Sequence, residues 1–265
     1  MFRIATGFAL MVFLTSCANT PAISPSALVD LAPMGKLRVG IMYTNPVVSV
    51  RDPATGNLGG IAVDLARELG RRVNVPVELV GYENTAAMLA GVKTGEWDVA
   101  FSGYEPTRAE LSMTAPYVES DGIYLVPAGS ALHTSADVDR AGIRVAVSAK
   151  SSLDLHLSRT LKHAQLERIP GAGGAAELFI AGKADVLASV RQQIMRVAAK
   201  LPGSRILDGR FMAIGQALAI PAGRDAGAQY LRAYIEDVKA SGLVARLMEK
   251  HAISGAAVAP AATVR

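Results

Sequence analysis

The chain has 265 residues, 51% of them hydrophobic and 19% charged, with a formal net charge of +4. That composition is ordinary for a globular protein, and the length allows one domain or two. The basic residues are scattered, with only Arg71 and Arg72 adjacent, so no clustered, aromatic-interleaved patch for nucleic acid is present.

The amino terminus reads as an address. Arg3 supplies a positive start, and Ile4 to Leu14 is an apolar run too short to span a bilayer as a mature helix. Leu14-Thr15-Ser16-Cys17 then resembles the bacterial lipobox, in which the cysteine becomes the acylated first residue. Cys17 is the single cysteine of the chain, so no internal disulfide can form. A secretory signal with a chance cysteine is the alternative. Residues 1–17 are thus expected to be a lipoprotein signal, 18–33 (Ala-, Pro-, Ser- and Thr-rich) a flexible tether, and 255–265 a loose tail.

Between these, strands and helices alternate. A strand is predicted at Leu37–Met42 and a helix at Ile61–Val73, whose apolar stripe is Ile61, Leu65, Leu69 and Val73. A strand follows at Val77–Val80, a helix at Thr85–Thr94 stopped by Gly95, and strands at Val99–Phe101 and Ile123–Val126. The alternation restarts with a strand at Ile143–Val147, a helix from Ser151-Ser152 to about His163, and a strand at Leu166–Ile169. Then come a helix at Ala175–Ala181, a strand at Val186–Ala188, a helix at Gln192–Lys200 and strands at Arg205–Leu207 and Gln216–Ile220. Two helices close the pattern, Asp225–Lys239 and Leu243–His251. Two consecutive units of this kind predict an α/β protein of two lobes, each a mainly parallel sheet covered by helices.

The most informative stretch is DVAFSGYEPTRAELSMTAPY, Asp98 to Tyr117: a short strand, a loop, an arginine near the start of a helix, and a Pro-Tyr turn. Asp98-Val99, Ser102-Gly103, Pro106, Arg108, Thr114 and Pro116-Tyr117 resemble the motif of family 3 extracellular solute-binding proteins, the receptors of ABC importers. The loop is shorter than the family's usual form. GKLRVG at Gly35, GNLGGIAVDL at Gly56, KTGEWDV at Lys93, VAVSAKSS at Val145, GKADVLA at Gly182 and ASGLVARLMEK at Ala240 are similar to further family motifs in the same order.

The resemblance implies a type II periplasmic binding protein fold with a two-strand hinge near Tyr124–Pro127 and Gly215–Ile220. Lobe one would comprise 34–125 and 216–254, and lobe two 126–215. It also implies a periplasmic, lipid-anchored, monomeric protein without a cofactor, which delivers a small carboxylate to an ABC transporter permease in the inner membrane.

Arg108 would grip the ligand carboxylate with its planar fork. Ser151 and Ser152, at a helix start in the other lobe, would offer free N–H groups to the same anion. Ser102, Gly103, Tyr104, Asn45, Tyr82 and Asn84 are the other candidate contacts. Where many family members carry an aspartate for the ligand's ammonium, this chain has Val190 followed by Arg191, and Arg191 would favour negative charge. Glu83, Glu105 or Asp154 would have to supply any counter-charge. The four histidines, His133, His156, His163 and His251, show no metal-ligand spacing. The enzyme alternative is a periplasmic cyclohexadienyl dehydratase, which would need Glu83, Glu105 or His156 as general acid. A ligand sensor that signals to a membrane partner is a third possibility.

Overall fold

The structure is a computed structural model in which residues 23–263 are described. Cys17 and the signal segment therefore lie outside the described residues. In chain order the elements are α1 (Pro25–Leu31), β1 (Leu37–Met42), β2 (Val50–Arg51), β3 (Leu58–Gly59), α2 (Ile61–Val73), β4 (Val77–Tyr82), α3 (Thr85–Thr94), β5 (Val99–Gly103), β6 (Leu111–Met113) and β7 (Val118–Val126). They continue as β8 (Arg144–Ser148), α4 (Ser152–Thr160), β9 (Gln165–Ile169), α5 (Gly171–Ile180), β10 (Val186–Val190), α6 (Arg191–Ala198), β11 (Arg205–Ile206), β12 (Met212–Pro221), α7 (Asp225–Ala240), α8 (Leu243–Lys250) and β13 (Ala256–Val258).

One curled sheet runs in the order β4-β1-β5-β12-β7-β10-β8-β9. The outer triplets β4-β1-β5 and β10-β8-β9 are parallel, as strand-helix-strand crossovers require. The two central strands, β7 and β12, are antiparallel to each other and to their neighbours. They pass between two sets of cores. Val118, Leu218 and Ile220 pack with β1 and α2, whereas Tyr124, Val126 and Ile214 pack with β8 and α4. Ile123 and Leu125, expected in lobe one, pack instead with α5 and α6. The hinge strand thus changes core earlier than expected, because β7 is one continuous strand from Val118. Its polar start, Glu119-Ser120-Asp121, hid it from apolar-run reasoning.

Three other expectations are corrected. The tether segment contains α1, capped by Ser24, whose hydroxyl accepts from Ala27 N–H at 3.2 Å. Its Ala27 and Leu31 are buried in the lobe-one core. The tail contains β13, which pairs antiparallel with β7, and Ala259 beyond it is buried. Finally, no helix follows Arg108. The chain enters the short strand β6, which pairs with Ala219–Pro221 of β12. An open edge of β12 captured a segment too short to close a stable helix.

Each lobe is fastened by the same device. Asp98, just before β5, accepts from the backbone N–H of Arg38 and, bidentately, from its guanidinium at 2.9 and 2.8 Å. Asp185, just before β10, does the same to Arg144 at 3.0 and 2.9 Å, and also accepts its backbone N–H. The aspartate of each Asp-Val pair is a strand-to-strand clamp, and the two lobes share one building plan.

Candidate functional site

The carboxyl ends of the parallel strands in both lobes face one cavity, as open α/β sheets dictate. It holds about 560 Å³ of empty space, counting its open mouth. From lobe one come Met42 at the end of β1, Thr44 and Asn45 just after it, Thr85 at the start of α3, Ser102 and Gly103 at the end of β5, and Arg108. From lobe two come Ser148, Ser151, Ser152, Leu153, Ala172, Ser189 and Val190, and the hinge strand β12 adds Ile214 and Gln216. Among these lining residues Arg108 is the one charged side chain.

Arg108 is 7% exposed. It stands in a turn in which its N–H donates to Glu105 O and its carbonyl accepts from Leu111 N–H. One guanidinium nitrogen donates to the carbonyl of Lys150 across the cleft at 2.8 Å. Its Nε is buried without a partner, and no carboxylate lies within ion-pair distance among the described residues. Burial lowers its pKa from the ordinary arginine value, with Glu105 and Glu110 opposing at longer range. A buried guanidinium with unfilled donor capacity is a site for an anion.

The facing turn is built to receive it. Lys150 adopts φ +59, a left-handed conformation that is uncommon for a side chain other than glycine, asparagine or aspartate. Asp154 stabilises that turn by accepting Lys150 N–H at 2.8 Å, and Ser151 Oγ donates to Ser148 O at 2.7 Å. Ser151 is also the N-cap of α4, accepting from Asp154 N–H at 3.2 Å. The lobes meet closely here. A Cβ on Gly103 would lie 2.8 Å from Ser152 Oγ, so glycine permits the approach. Glu105 and Arg159 form a second bridge across the cleft, at 3.4 Å.

Asn45 is held on the lobe-one side by a local turn in which its Oδ1 accepts Val47 N–H at 3.1 Å. That loop lies on the start of α2, where a Cβ on Gly60 (φ +125) would collide with Val48 O and Ser49 Cα at 2.8 Å.

The cavity thus brings together Arg108, Ser102, Gly103, Asn45, Ser151 and Ser152 of the expected set. It does not include Tyr82, Asn84, Tyr104 or Arg191. Tyr82 points into a core with Met88 and Trp97 and donates to Glu96 at 2.7 Å; burial and that acceptor push its phenol up. Asn84 is the N-cap of α3, accepting from Ala87 N–H at 2.9 Å. Tyr104 is 38% exposed. Arg191 turns to the hinge strand and pairs with Asp121 at 2.9 Å, where Arg210 joins it at 3.1 Å. Burial pushes the Asp121 carboxyl up, but these two cations outweigh it and hold it below the usual range.

The expected counter-charges do not line the cavity either: Glu83 is exposed and hydrogen-bonds Tyr43, and the other two are engaged elsewhere. Glu105 bonds Thr107 and Arg159, and Asp154 bonds Arg168 at 2.8 Å. Sequence reasoning missed Lys150, Gln216 and the hydroxyls Thr44, Ser148 and Ser189. The last three sit at or just beyond strand ends that the periodicity had located, so the strand-end rule was the available signal. Nothing local marks Lys150 or Gln216.

The sequence model describing bacterial extracellular solute-binding proteins, family 3, matches residues 37–253. The chain belongs to this family. Solved structures agree on the fold. A mutant of ArgBP from T. maritima superposes with a TM-score of 0.72 at 23% identity, covering 84% of this chain and 98% of that one. A putative binding component of an ABC transporter from Wolinella succinogenes, complexed with lysine, gives 0.71 at 22%, covering 82% and 95%. An ancestral amino acid-binding protein described as a precursor of cyclohexadienyl dehydratase gives 0.71 at 22%, covering 84% and 98%. A sequence search of curated proteins returned no match. The fold of this family 3 solute-binding protein is the two-lobed type II periplasmic binding fold. Among its described residues no helix is long and apolar enough to cross a membrane, and no three His, Cys, Asp or Glu side chains gather as a metal site would need.

Proposed function

We propose that this family 3 protein is the substrate-binding component of an ABC importer, and that it captures a small organic carboxylate between its lobes. The observation that carries the reading is Arg108, a buried cation in the cleft with an unpartnered Nε and no carboxylate of its own. A ligand carboxylate would supply the missing charge. The bond from Arg108 to Lys150 O and the Ser152–Gly103 approach link that capture to closure, since a ligand that contacts both lobes stabilises the state in which they meet. Lipid anchoring at Cys17, a monomeric state and docking to a membrane permease complete the proposal.

The relative from Wolinella succinogenes is complexed with lysine, a ligand with a cationic side chain. The cavity here offers no carboxylate to such a group, so the carboxylate end of the ligand transfers to this chain and the cationic end does not. The dehydratase reading has one neighbour in its favour. Receptor function is favoured over turnover because Glu83, Glu105 and His156, the candidate general acids, do not line the cavity. His156 packs beside Phe211 instead, where burial and the nearby Arg159 lower its pKa.

Calorimetric titration of the full chain and of Arg108→Ala with a panel of carboxylates tests the proposal. Saturable binding that Arg108→Ala removes is the expected result. Binding of equal affinity in both proteins would refute it, and conversion of prephenate would move the assignment to the enzyme.

A further inference from the structure

We propose that the cavity selects a small hydroxycarboxylate, a monoanion with a hydroxyl where an amino acid has its ammonium. The inference rests on the carboxylate-receptor reading above and specifies its ligand class.

Charge sets the first condition. With Arg108 as the single charged lining group, one carboxylate makes the closed site neutral. A zwitterion would bring an ammonium as well and leave one positive charge uncompensated in a desolvated space, which is strongly unfavourable. The carboxylates nearest the cavity do not offer themselves. Glu105 is held by Thr107 and Arg159, and Asp154 by Lys150 N–H, Ser158 and Arg168, while Glu83, beside Thr44, is exposed and hydrogen-bonds Tyr43 outside the cavity lining.

Gln216 sets the second condition. It lies on the hinge strand β12, is 1% exposed and lines the cavity. Its Oε1 is buried and has no donor. A carbonyl-type oxygen in that state requires a donor from whatever fills the space, because a buried acceptor without one bears the full desolvation penalty. A ligand hydroxyl can donate to that oxygen and also accept from the Gln216 amide N–H; a keto oxygen can only accept and leaves Oε1 without a donor. The hydroxyls of Ser102 and Ser189 and the amide of Asn45 complete a lining suited to a polar but uncharged substituent. Met42, Val190 and Ile214 leave an apolar wall for a short alkyl chain.

Isosteric acids separate these conditions. The full chain is titrated with L-lactate, L-alanine and pyruvate, and with α-hydroxyisocaproate, L-leucine and α-ketoisocaproate, with L-arginine and L-lysine alongside. The expected result is a hydroxy acid bound roughly tenfold or more tighter than both of its isosteres. Gln216→Leu should weaken the hydroxy acid by roughly tenfold and bring it level with the keto acid, while Arg108→Ala removes binding of both. An amino acid bound as tightly as its hydroxy isostere, or arginine or lysine bound in an Arg108-dependent way, overturns the selectivity and leaves the carboxylate receptor standing. A keto acid bound as tightly as the hydroxy acid overturns the part given to Gln216 and with it the ligand class. Failure of every acid to bind, or binding indifferent to Arg108→Ala, overturns this proposal and the receptor reading together.

Discussion

Arg38 and Arg108 stand in the same lobe, both largely out of solvent, and differ in what they face. Arg38 meets Asp98, a fully buried carboxylate that also accepts from Arg224 at 3.1 Å. That charge is balanced within the chain, and Arg224 ties the cluster to α1 through Asp30 O. Arg108 has no such partner and donates one bond to a carbonyl in the other lobe. The contrast teaches that a buried charge balanced inside one lobe belongs to the fold, and one left open toward a cleft belongs to a ligand.

The comparison can be broken most forcefully at Asp98. Asp98→Ala leaves two guanidinium groups without their carboxylate and the Arg38 N–H without its acceptor, and should cost roughly 3–5 kcal/mol of unfolding free energy by denaturant titration. Ligand affinity of the folded fraction should stay near wild type; a stable but non-binding Asp98→Ala protein would erase the distinction. Arg108→Ala should behave inversely. Carboxylate affinity should fall by about 2–5 kcal/mol, since a buried charge pair with the ligand is lost. Unfolding free energy without ligand should change by less than about 1 kcal/mol, the worth of its one hydrogen bond. A stability loss on the scale of Asp98→Ala would make Arg108 a structural residue.

The second lobe sharpens the comparison. Asp185 repeats the geometry of Asp98, but its side chain is 37% exposed against 0%. Water can take over part of its role, so Asp185→Ala should cost only about 1 kcal/mol. Equal losses at the two positions would show that backbone capping, not burial, carries the clamp.

The smallest effect is acid-dependent. The Arg71 guanidinium, aided by Arg72 against some burial, holds the Glu68 carboxyl at about 2, below its ordinary value of 4.5. A carboxyl depressed by folding contributes stability above its unfolded pKa and loses it as pH falls through the folded one. Unfolding free energy should therefore decline between pH 4.5 and about 2, and Glu68→Gln should flatten that decline. An unchanged acid limb would show that this helix-surface cluster does not contribute.

Much of the architecture was legible because it rests on short-range rules. The stripe Ile61-Leu65-Leu69-Val73 forms α2 as its period requires, and Gly95 closes α3 in the left-handed conformation that glycine adopts freely. The elements that escaped, α1, β6, β13 and the polar start of β7, are short or weakly apolar. Each exists because a distant segment offers an edge or a face: α7 and the lobe-one core for α1, β12 for β6, and β7 for β13.

The site divides the same way. A motif of residue types at fixed spacing marked Arg108, Ser102, Gly103, Ser151 and Ser152, because strand ends and helix starts place such residues by local geometry. Tyr82, Asn84, Tyr104 and Arg191 lie outside the cavity lining because position along the chain does not fix where a side chain turns. Each has an alternative the sequence does not display: a core and Glu96, an N-cap, solvent, and Asp121. The sequence by itself determined the α/β alternation and the two-lobed plan, since these follow from periodicity, and it marked Arg108 through the resemblance to the family motif. Only the tertiary structure decided which carboxylates are already engaged and that Gln216 faces the cavity without a donor. Charge balance and hydrogen-bond satisfaction are properties of groups brought together from distant parts of the chain.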